Sequence, residues 1–308
     1  MMFKNSTKLL LANFDKVWKV LVYHILCFAF CFGLLAIFYN FFVESITQAW
    51  QEANLSGVFV SGTFYGYSVS GVLHGLVNAA IGFFATIFAE NVGIGIYFCL
   101  IVFFLLPFLM NIGKYVVDEM LYGFMSSAQK QSFTGTFLRT LGKSTQFAAI
   151  KTLYAIPFNA LIFLSLYGLS RIQNEVFDYI LPLAIALIPA LLFAFKQTFN
   201  AGWAPAMVVF DVNVAKAYAI GNRAMLRRGA RVFSTAFVIC LLAIVLSLIL
   251  GLYALIIILP IVLPFSDIFE MTAFFSSQGM RFYADYDTIL TPKKLEEVDK
   301  IENAKFIL

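Results

Sequence analysis

The sequence predicts an all-α membrane protein, a polytopic bundle of six spans arranged as three pseudo-repeated helical hairpins. The composition is the first reason, because 61% of the residues are hydrophobic and 12% are charged. Soluble domains average about 45–50% apolar and ~25% charged residues. The second reason is that the Lys and Arg residues cluster beside long apolar runs. We expect a membrane domain over residues 1–280 and a charged cytoplasmic tail over residues 281–308.

The last hairpin shows the repeating unit most clearly. It opens with a basic amphipathic run whose cationic residues are Lys216, Arg223, Arg227, Arg228 and Arg231. Residues 232–275 follow, and their only charges are Asp267 and Glu270. A helix that crosses a membrane needs ~20 apolar residues. This stretch therefore predicts two spans joined by a tight turn near Gly251.

The first two hairpins are expected to follow the same plan. Residues 5–19 place apolar and charged side chains on opposite helix faces, which is typical of a helix in the headgroup layer with Lys8, Lys16 and Lys19 in water. A second basic linker covers residues 126–147. The four spans of these hairpins are expected at residues 20–43, 93–113, 148–169 and 179–199.

The charge distribution predicts the orientation of the chain. With the N-terminus in the cytoplasm, Arg171 alone among the 21 Lys and Arg residues falls on an outer segment. Cytoplasmic loops of membrane proteins are enriched in Lys and Arg, and six spans with both termini inside satisfy this rule. We therefore expect a multi-pass protein of the cell (plasma or inner) membrane.

A glycine-rich insertion at residues 44–92 departs from the regular pattern. It contains a mostly apolar run at residues 72–88, which is followed by Glu90. If this run were a full span, most basic residues would face outside, so we expect a re-entrant or interfacial helix on the outer side. The insertion is either a pocket, pore mouth or docking surface, or a cap over the bundle. The sequence leaves both possibilities open.

An internal repeat links the second span of each hairpin. Each contains a proline followed seven positions later by a charged residue: Pro107 and Lys114, Pro189 and Lys196, Pro260 and Asp267. Binding sites often form where structural repeats meet, and the three prolines are candidate helix kinks. The pattern is also compatible with ordinary membrane helices that tolerate proline and carry charges at their inner ends.

If the repeats converge, their inner ends form a polar cluster. Its candidate members are Lys114, Glu119, Lys196, Asp267 and Glu270. Charged groups buried in a membrane bundle normally pair with one another or line water. The alternative, which the pattern favours for most of these residues, is that they lie in the headgroup layer.

The sequence carries no recognisable catalytic or cofactor motif. It has neither H-E-x-x-H, nor G-x-S-x-G, nor a Walker loop, and its only histidines are His24 and His74. We therefore expect no catalytic residue, no metal and no cofactor.

The basic patches flank spans, so nucleic-acid binding is not expected. Few carboxylates are expected at membrane depth, which argues against an ordinary proton-coupled transporter.

The basic amphipathic helices before paired spans carry a family resemblance. The stretch AYAIGNRAMLRRGARVF before the fifth span, with the overall span layout, resembles the six-helix membrane domain found ahead of some bacterial glycerophosphodiester phosphodiesterases and in related uncharacterised bacterial membrane proteins. The resemblance implies the bundle fold. It implies no hydrolase activity, because the catalytic barrel of those enzymes has no counterpart here, and the glycine-rich insertion departs from their pattern.

Three functions are compatible with the sequence. The first is a non-enzymatic bundle that transports or holds lipids or small molecules, with membrane lipids as its partners. The second is a scaffold or assembly partner for other membrane proteins, and the third is an intramembrane lipid-modifying enzyme. A buried polar path from residues 57–75 to the level of Lys114 would favour transport, whereas a bundle packed with aromatic side chains would favour the scaffold.

Overall fold

The computed structural model describes residues 2–53, 69–172, 175–227, 229–250, 261–286 and 288–290. Within these ranges, the description excludes the side chains of residues 2, 3, 69–74, 175–179, 181, 182, 185 and 247–250. The described chain is a bundle of α-helices followed by a small β-hairpin. The all-α bundle predicted from the composition is therefore confirmed.

The helices of the first hairpins are α1 (Met2–Ala12), α2 (Phe14–Leu35), α3 (Tyr39–Glu52), α4 (Val69–Glu90), α5 (Val92–Cys99), α6 (Leu106–Ser127) and α7 (Phe133–Ser170). A 3-10 turn at Ala36–Phe38 joins α2 to α3, and a π-helical turn at Leu100–Leu105 joins α5 to α6. The later helices are α8 (Glu175–Asn200), α9 (Trp203–Phe210), α10 (Val214–Leu226), α11 (Gly229–Leu250) and α12 (Leu263–Gln278).

Four helical stretches of the described chain are long and apolar enough to cross a membrane: Phe14–Glu52, Val92–Ser127, Phe133–Ser170 and Gly229–Leu246. Their exposed surfaces carry large apolar side chains, among them Phe32, Leu100, Leu164 and Leu242. Contiguous apolar surface of this kind is costly in water and is suited to lipid. The fourth and sixth predicted spans include positions whose side chains lie outside the description.

The first break in the helices comes at Asn13, earlier than the predicted start of span 1 at residue 20. The Asn13 amide donates to the Leu9 carbonyl (3.0 Å) at the end of α1, and α2 starts at the next residue. Lys16 is buried, because the first turns of α2 pack beside α6 and α12. This corrects the prediction that Lys16 lies in water.

The predicted basic linkers have different structures. The basic run that opens the last hairpin contains a separate helix, α10. Its N-terminal cap is the Asn213 side chain, which accepts a hydrogen bond from the Lys216 backbone N–H (2.9 Å). The second linker is continuous with the following span, because α7 runs unbroken from its Ser132 cap to Ser170. No proline occurs before Pro157 in this helix, so nothing removes a backbone donor at the predicted boundary.

The prolines of the predicted repeat also differ in their surroundings. Pro107 lies in the first turn of α6, directly after the π-helical turn. A wider turn relieves the clash between a proline ring and the carbonyl four residues earlier. Pro189 lies within α8, which continues through it. Pro260 lies outside the described residues, so the surroundings of only two of the three candidate prolines are known, and they differ.

Helix α4 occupies much of the predicted outer insertion. It packs against α3, α7 and α8. The helix has 22 residues, and its side chains are described over Gly75–Glu90. Residues 54–68, which include most of the recurring glycines, lie outside the description. Helix α5 starts directly after α4, with the Asn91 side chain accepting from the Ile94 N–H (3.2 Å).

A β-hairpin that was not predicted from the sequence lies at the start of the charged tail. Strands β1 (Phe282–Asp285) and β2 (Thr288–Leu290) pair antiparallel with an irregularity after Tyr283. The Phe282 side chain is buried and its ring lies 5.8 Å from that of Phe275, centroid to centroid. The tail therefore begins as a strand packed against α1, α6 and α12.

The buried core lies where the C-terminal half of α6 meets α9, α10 and α12. Its largest fully buried side chains include Tyr115, Phe124, Phe147, Phe269 and Phe274. Two glycines let α10 approach the turn before α9 closely. A Cβ atom on Gly221 would overlap the backbone of Gly202, and the converse also holds. This close contact lies in the core that surrounds the candidate site.

Candidate functional site

Four charged side chains lie in this core, between α6 and α12. Lys114 and Asp118 are four positions apart on α6, and Asp267 and Glu270 are three positions apart on α12. Residues at these spacings share a helix face, so the two pairs face each other across the contact between the helices. We call Lys114, Asp118, Asp267 and Glu270 the charged cluster.

The Lys114 ammonium is the centre of the charged cluster. Its Nζ lies 2.5 Å from Asp267 Oδ1, 2.7 Å from Glu270 Oε2 and 3.7 Å from Asp118 Oδ2. The exposed fractions of these side chains are 12% for Lys114, 16% for Asp267, 2% for Glu270 and 0% for Asp118. The contact with Asp267 is a charge-assisted hydrogen bond. The contacts with Glu270 and Asp118 are ion pairs without hydrogen-bond geometry, and all three are largely shielded from solvent.

Helix α8 forms a third side of the site. The Gln197 amide nitrogen donates to Glu270 Oε1 and to Ser266 Oγ, the latter at 3.1 Å. Because Gln197 belongs to α8 and its two acceptors belong to α12, this amide joins the two helices. It also satisfies the carboxylate oxygen of Glu270 that Lys114 leaves free.

Helix α7 adds a second positive charge. Lys151 interacts electrostatically with Asp118 and Glu270, and its ammonium lies 5.2 Å from the centroid of the Phe147 ring. Beside it, Asn111 of α6 donates to the Thr152 hydroxyl (3.1 Å). Lys151 forms no ion pair with the three carboxylates, but its charge is close enough to act on them, and by formal charge three carboxylates stand against two lysines. Within the described part of the chain, one negative charge is therefore left in excess.

Asp118 is the least satisfied member of the charged cluster. It is fully buried, and neither of its carboxylate oxygens accepts a hydrogen bond from any described residue. Lys114, at 3.7 Å, is the cation that contacts it. Burial of an ionised carboxylate without hydrogen bonds is unfavourable, and such a group takes up a proton or a further positive partner.

The structure brings together three of the five residues predicted for the inner polar cluster, namely Lys114, Asp267 and Glu270. Glu270 is buried, and Lys114 and Asp267 are mostly shielded from solvent. The charge reversal between the second and sixth predicted spans thus corresponds to a direct ion pair, Lys114 with Asp267.

The other two predicted members have different partners. Lys196 of α8 donates to Asn159 of α7 (2.7 Å), and Glu119 accepts from Arg139 (3.1 Å). Each is adjacent in sequence to a residue that does contact the site, Gln197 and Asp118. One residue step turns a helix by about 100°, so Lys196 and Glu119 point toward other neighbours. This corrects the predicted composition of the cluster.

Sequence reasoning did not place Asp118 or Gln197 in the site. Asp118 had a usable signal, because it stands four positions after Lys114, the spacing of a helical ion pair. Gln197 had none, since a single neutral amide beside a lysine is ordinary in any helix.

The described residues include no group of three or more His, Cys, Asp or Glu side chains that could hold a metal ion.

Comparison with known proteins gives no family assignment. No protein-family model, no curated protein and no solved structure matches the chain.

Proposed function

We propose that this is a multi-pass protein of the cell membrane, with both termini in the cytoplasm, that binds and moves a lipid or small molecule without changing it chemically. The charged cluster is the observation that carries this proposal. Ionised groups are costly among membrane helices, and they commonly mark ligand or ion pathways. Apolar residues in place of a buried ion pair are often as stable or more stable, so stability alone gives no reason for the charged cluster.

The charge balance of the site suggests the chemistry of its occupant. By formal charge, three carboxylates stand against two lysines, and Asp118 accepts no hydrogen bond from the described chain. A ligand that carries an ammonium group or several hydrogen-bond donors would balance this excess. A proton would do the same, so the buried carboxylates also make proton-coupled movement compatible with the site, against the expectation from sequence.

The span layout supports the orientation within this proposal. The basic helix α10 directly precedes α11, which is apolar and long enough to cross a membrane. Placing the basic segments in the cytoplasm follows the general enrichment of Lys and Arg on that side. The resemblance to the membrane domain of bacterial glycerophosphodiester phosphodiesterases is part of the same proposal and rests on this layout.

Native mass spectrometry of the protein released from mild detergent tests the proposal. We expect a defined small mass on the wild-type monomer and at least a tenfold weaker retention by Asp118→Asn, because hydrogen bonds to a charged group contribute about 1.5–3 kcal/mol each. The matched control is Glu119→Gln, which removes the same charge at the next residue, outside the charged cluster. A melting temperature for each variant shows that it is folded.

Two results would contradict the proposal. One is a folded wild-type protein that carries no small molecule in any mild detergent. The other is equal retention of the ligand by wild type, Asp118→Asn and Glu119→Gln, which would place the ligand away from the charged cluster.

The aromatic core favours a second candidate, a membrane scaffold or assembly partner. The rings of Phe147, Tyr154, Trp203 and Tyr218 pack with centroid distances between 4.9 and 5.8 Å. The Tyr154 and Tyr218 hydroxyls lie 2.8 Å apart. Such packing provides a rigid body for holding partners. In the same experiment, a stoichiometric protein partner without a retained ligand would support this candidate over transport.

A further inference from the structure

A second site, which shares no residue with the charged cluster, lies between α10 and the end of α12. It is a cavity of about 350 Å³. Its lining residues are Ala219, Ile220, Arg223, Ala224, Arg227 and Gln278. Most of them recur at helical spacing along one face of α10, and Gln278 is the last residue of α12. We call this space the arginine cavity.

The two arginines are the distinctive feature of the arginine cavity. Arg223 and Arg227 are exposed and four positions apart, so both guanidinium groups lie on one side of the helix. None of the ion pairs in the described part of the chain involves either of them. In contrast, Arg139, Lys130 and Lys143 on other segments each contact a carboxylate.

Guanidinium groups without carboxylate partners are suited to phosphate. Each presents several N–H donors in a planar fork, which binds two phosphate oxygens at once. The Gln278 amide adds further donors. The remaining lining residues, Ala219, Ile220 and Ala224, are small or apolar. The arginine cavity thus combines a positive, donor-rich part with an apolar wall, as the headgroup of an amphiphile requires.

The C-terminus of α12 does not strongly repel an anion bound in the arginine cavity. The C-terminal carbonyls of a helix repel negative charge when they are unsatisfied. Here the Phe275 carbonyl accepts from the Met280 backbone N–H (3.0 Å), and Gly279 ends the helix in a left-handed conformation. The last turn is therefore closed by its own backbone.

The position of the arginine cavity in the chain links it to the membrane surface. Arg227 caps α10, and α11 starts two residues later at Gly229. Since α11 is apolar and long enough to span a bilayer, its first turn lies at headgroup level if it crosses the membrane. Arg231 in that turn and Lys216 on α10 add positive charge nearby.

We propose that the arginine cavity binds the phosphate of an anionic phospholipid in the cytoplasmic leaflet. Arg223 and Arg227 bind the phosphate oxygens, Gln278 donates to the headgroup, and the apolar side chains contact the glycerol carbons. A soluble phosphate ester presents the same phosphate chemistry, so the experiment must separate the two sources. The charged cluster has an excess of carboxylates, so it selects a cationic ligand, whereas the arginine cavity selects an anionic one.

The test is native mass spectrometry of the full-length protein in mild detergent with added phosphatidylglycerol or phosphatidylcholine of identical acyl chains. We expect wild type to retain phosphatidylglycerol preferentially. The double variant Arg223→Gln/Arg227→Gln should lose at least tenfold in affinity, because two charge-assisted contacts are removed. The matched control, Lys216→Gln/Arg231→Gln, removes two positive charges from the same segment outside the cavity and should lose less than about threefold.

Three results would overturn the proposal: equal losses in the two double variants, equal retention of both lipids by wild type, or no retention of phosphatidylglycerol. Glycerol 3-phosphate, added in excess, separates the sources. If it displaces the lipid at micromolar concentration, the ligand is a soluble phosphate ester and the lipid assignment is wrong. If displacement needs a large excess, the lipid assignment is supported.

A charge-neutral variant keeps the test decisive if the arginine variants fold poorly. Ala219 is exposed and lines the cavity, so Ala219→Trp fills the space without changing the charge or the buried core. We expect it to reduce phosphatidylglycerol binding at least tenfold while the melting temperature stays that of wild type. Unchanged binding by this variant would show that the lipid lies elsewhere.

Discussion

The C-terminal halves of α6 and α7 have opposite surroundings. In α6, side chains from Tyr115 to Phe124 are mostly buried, in contacts with α2, α7, α9 and α12. In α7, Leu153, Leu161 and Leu164 are more than half exposed. One part of the molecule is therefore packed like the core of a soluble domain, whereas the other presents apolar side chains to its surroundings.

The comparison shows where the protein can hold charge. Polar groups require partners when water is absent, and the packed part supplies them from three helices around Lys114. On the outer part of α7, between residues 153 and 170, the described chain has no Lys, Arg, Asp or Glu. The packed core is thus where this protein can hold charged groups away from water.

The largest expected effect is that of removing the central cation of the packed region. Lys114→Met leaves Asp118, Asp267 and Glu270 buried without their common partner. Breaking a buried ion pair on one side costs about 3–5 kcal/mol. We expect a large drop in melting temperature, measured by thermal unfolding in mild detergent.

The control variant removes a lysine from an ion pair on the surface. Lys143 contacts Asp211, and their side chains are 54% and 74% exposed. Exposed pairs contribute about 0–1 kcal/mol, so Lys143→Met should hardly change the melting temperature. If the two variants melted alike, the charged cluster would be accessible to water, contrary to its low exposure.

The second expected effect concerns the close contact beside the charged cluster. Gly221→Ala introduces a Cβ atom into the Gly202 backbone. Backbone atoms cannot move aside like the end of a flexible side chain, so overpacking of this kind costs about 1–3 kcal/mol. The variant should unfold at a lower temperature than wild type.

Gly142→Ala is the matched control for this contact. It lies inside α7, and its new Cβ would meet nothing within 4 Å. Alanine is favoured over glycine in helices by about 0.5–1 kcal/mol, so this variant should be slightly more stable than wild type. The same sign of change in both variants would argue against the close approach at Gly221.

The fold class and part of the site could be predicted from sequence, because they follow from local rules. Apolar length predicts helices that can span a membrane, and the charge reversal from Lys114 to Asp267 suggested a pair between distant helices. Element boundaries were less predictable. The break at Asn13, the unbroken α7 and the hairpin at Phe282 depend on tertiary packing that periodicity does not encode.

The membership of the site shows the same limit. Glu119 and Asp118 are adjacent, as are Lys196 and Gln197. The spacing from Lys114 favours Asp118 over Glu119, but nothing in the sequence favours Gln197 over Lys196. The choice is made by the rotation of each helix about its axis, which is set by its tertiary packing. A sequence pattern can place charges at one level of a bundle, but it cannot say which of them face one another.

The smallest expected effect is on the outer part of α7. Leu164 is 59% exposed, so Leu164→Ala removes few contacts within the protein, and its neighbours in detergent or lipid refill the space. We expect less than about 0.5 kcal/mol. The buried Leu121 of α6 is the control, because Leu121→Ala should cost about 2–5 kcal/mol through lost packing and a cavity. If Leu164→Ala destabilised the purified protein as much as Leu121→Ala, this face of α7 would be covered by protein, and the scaffold function would gain support.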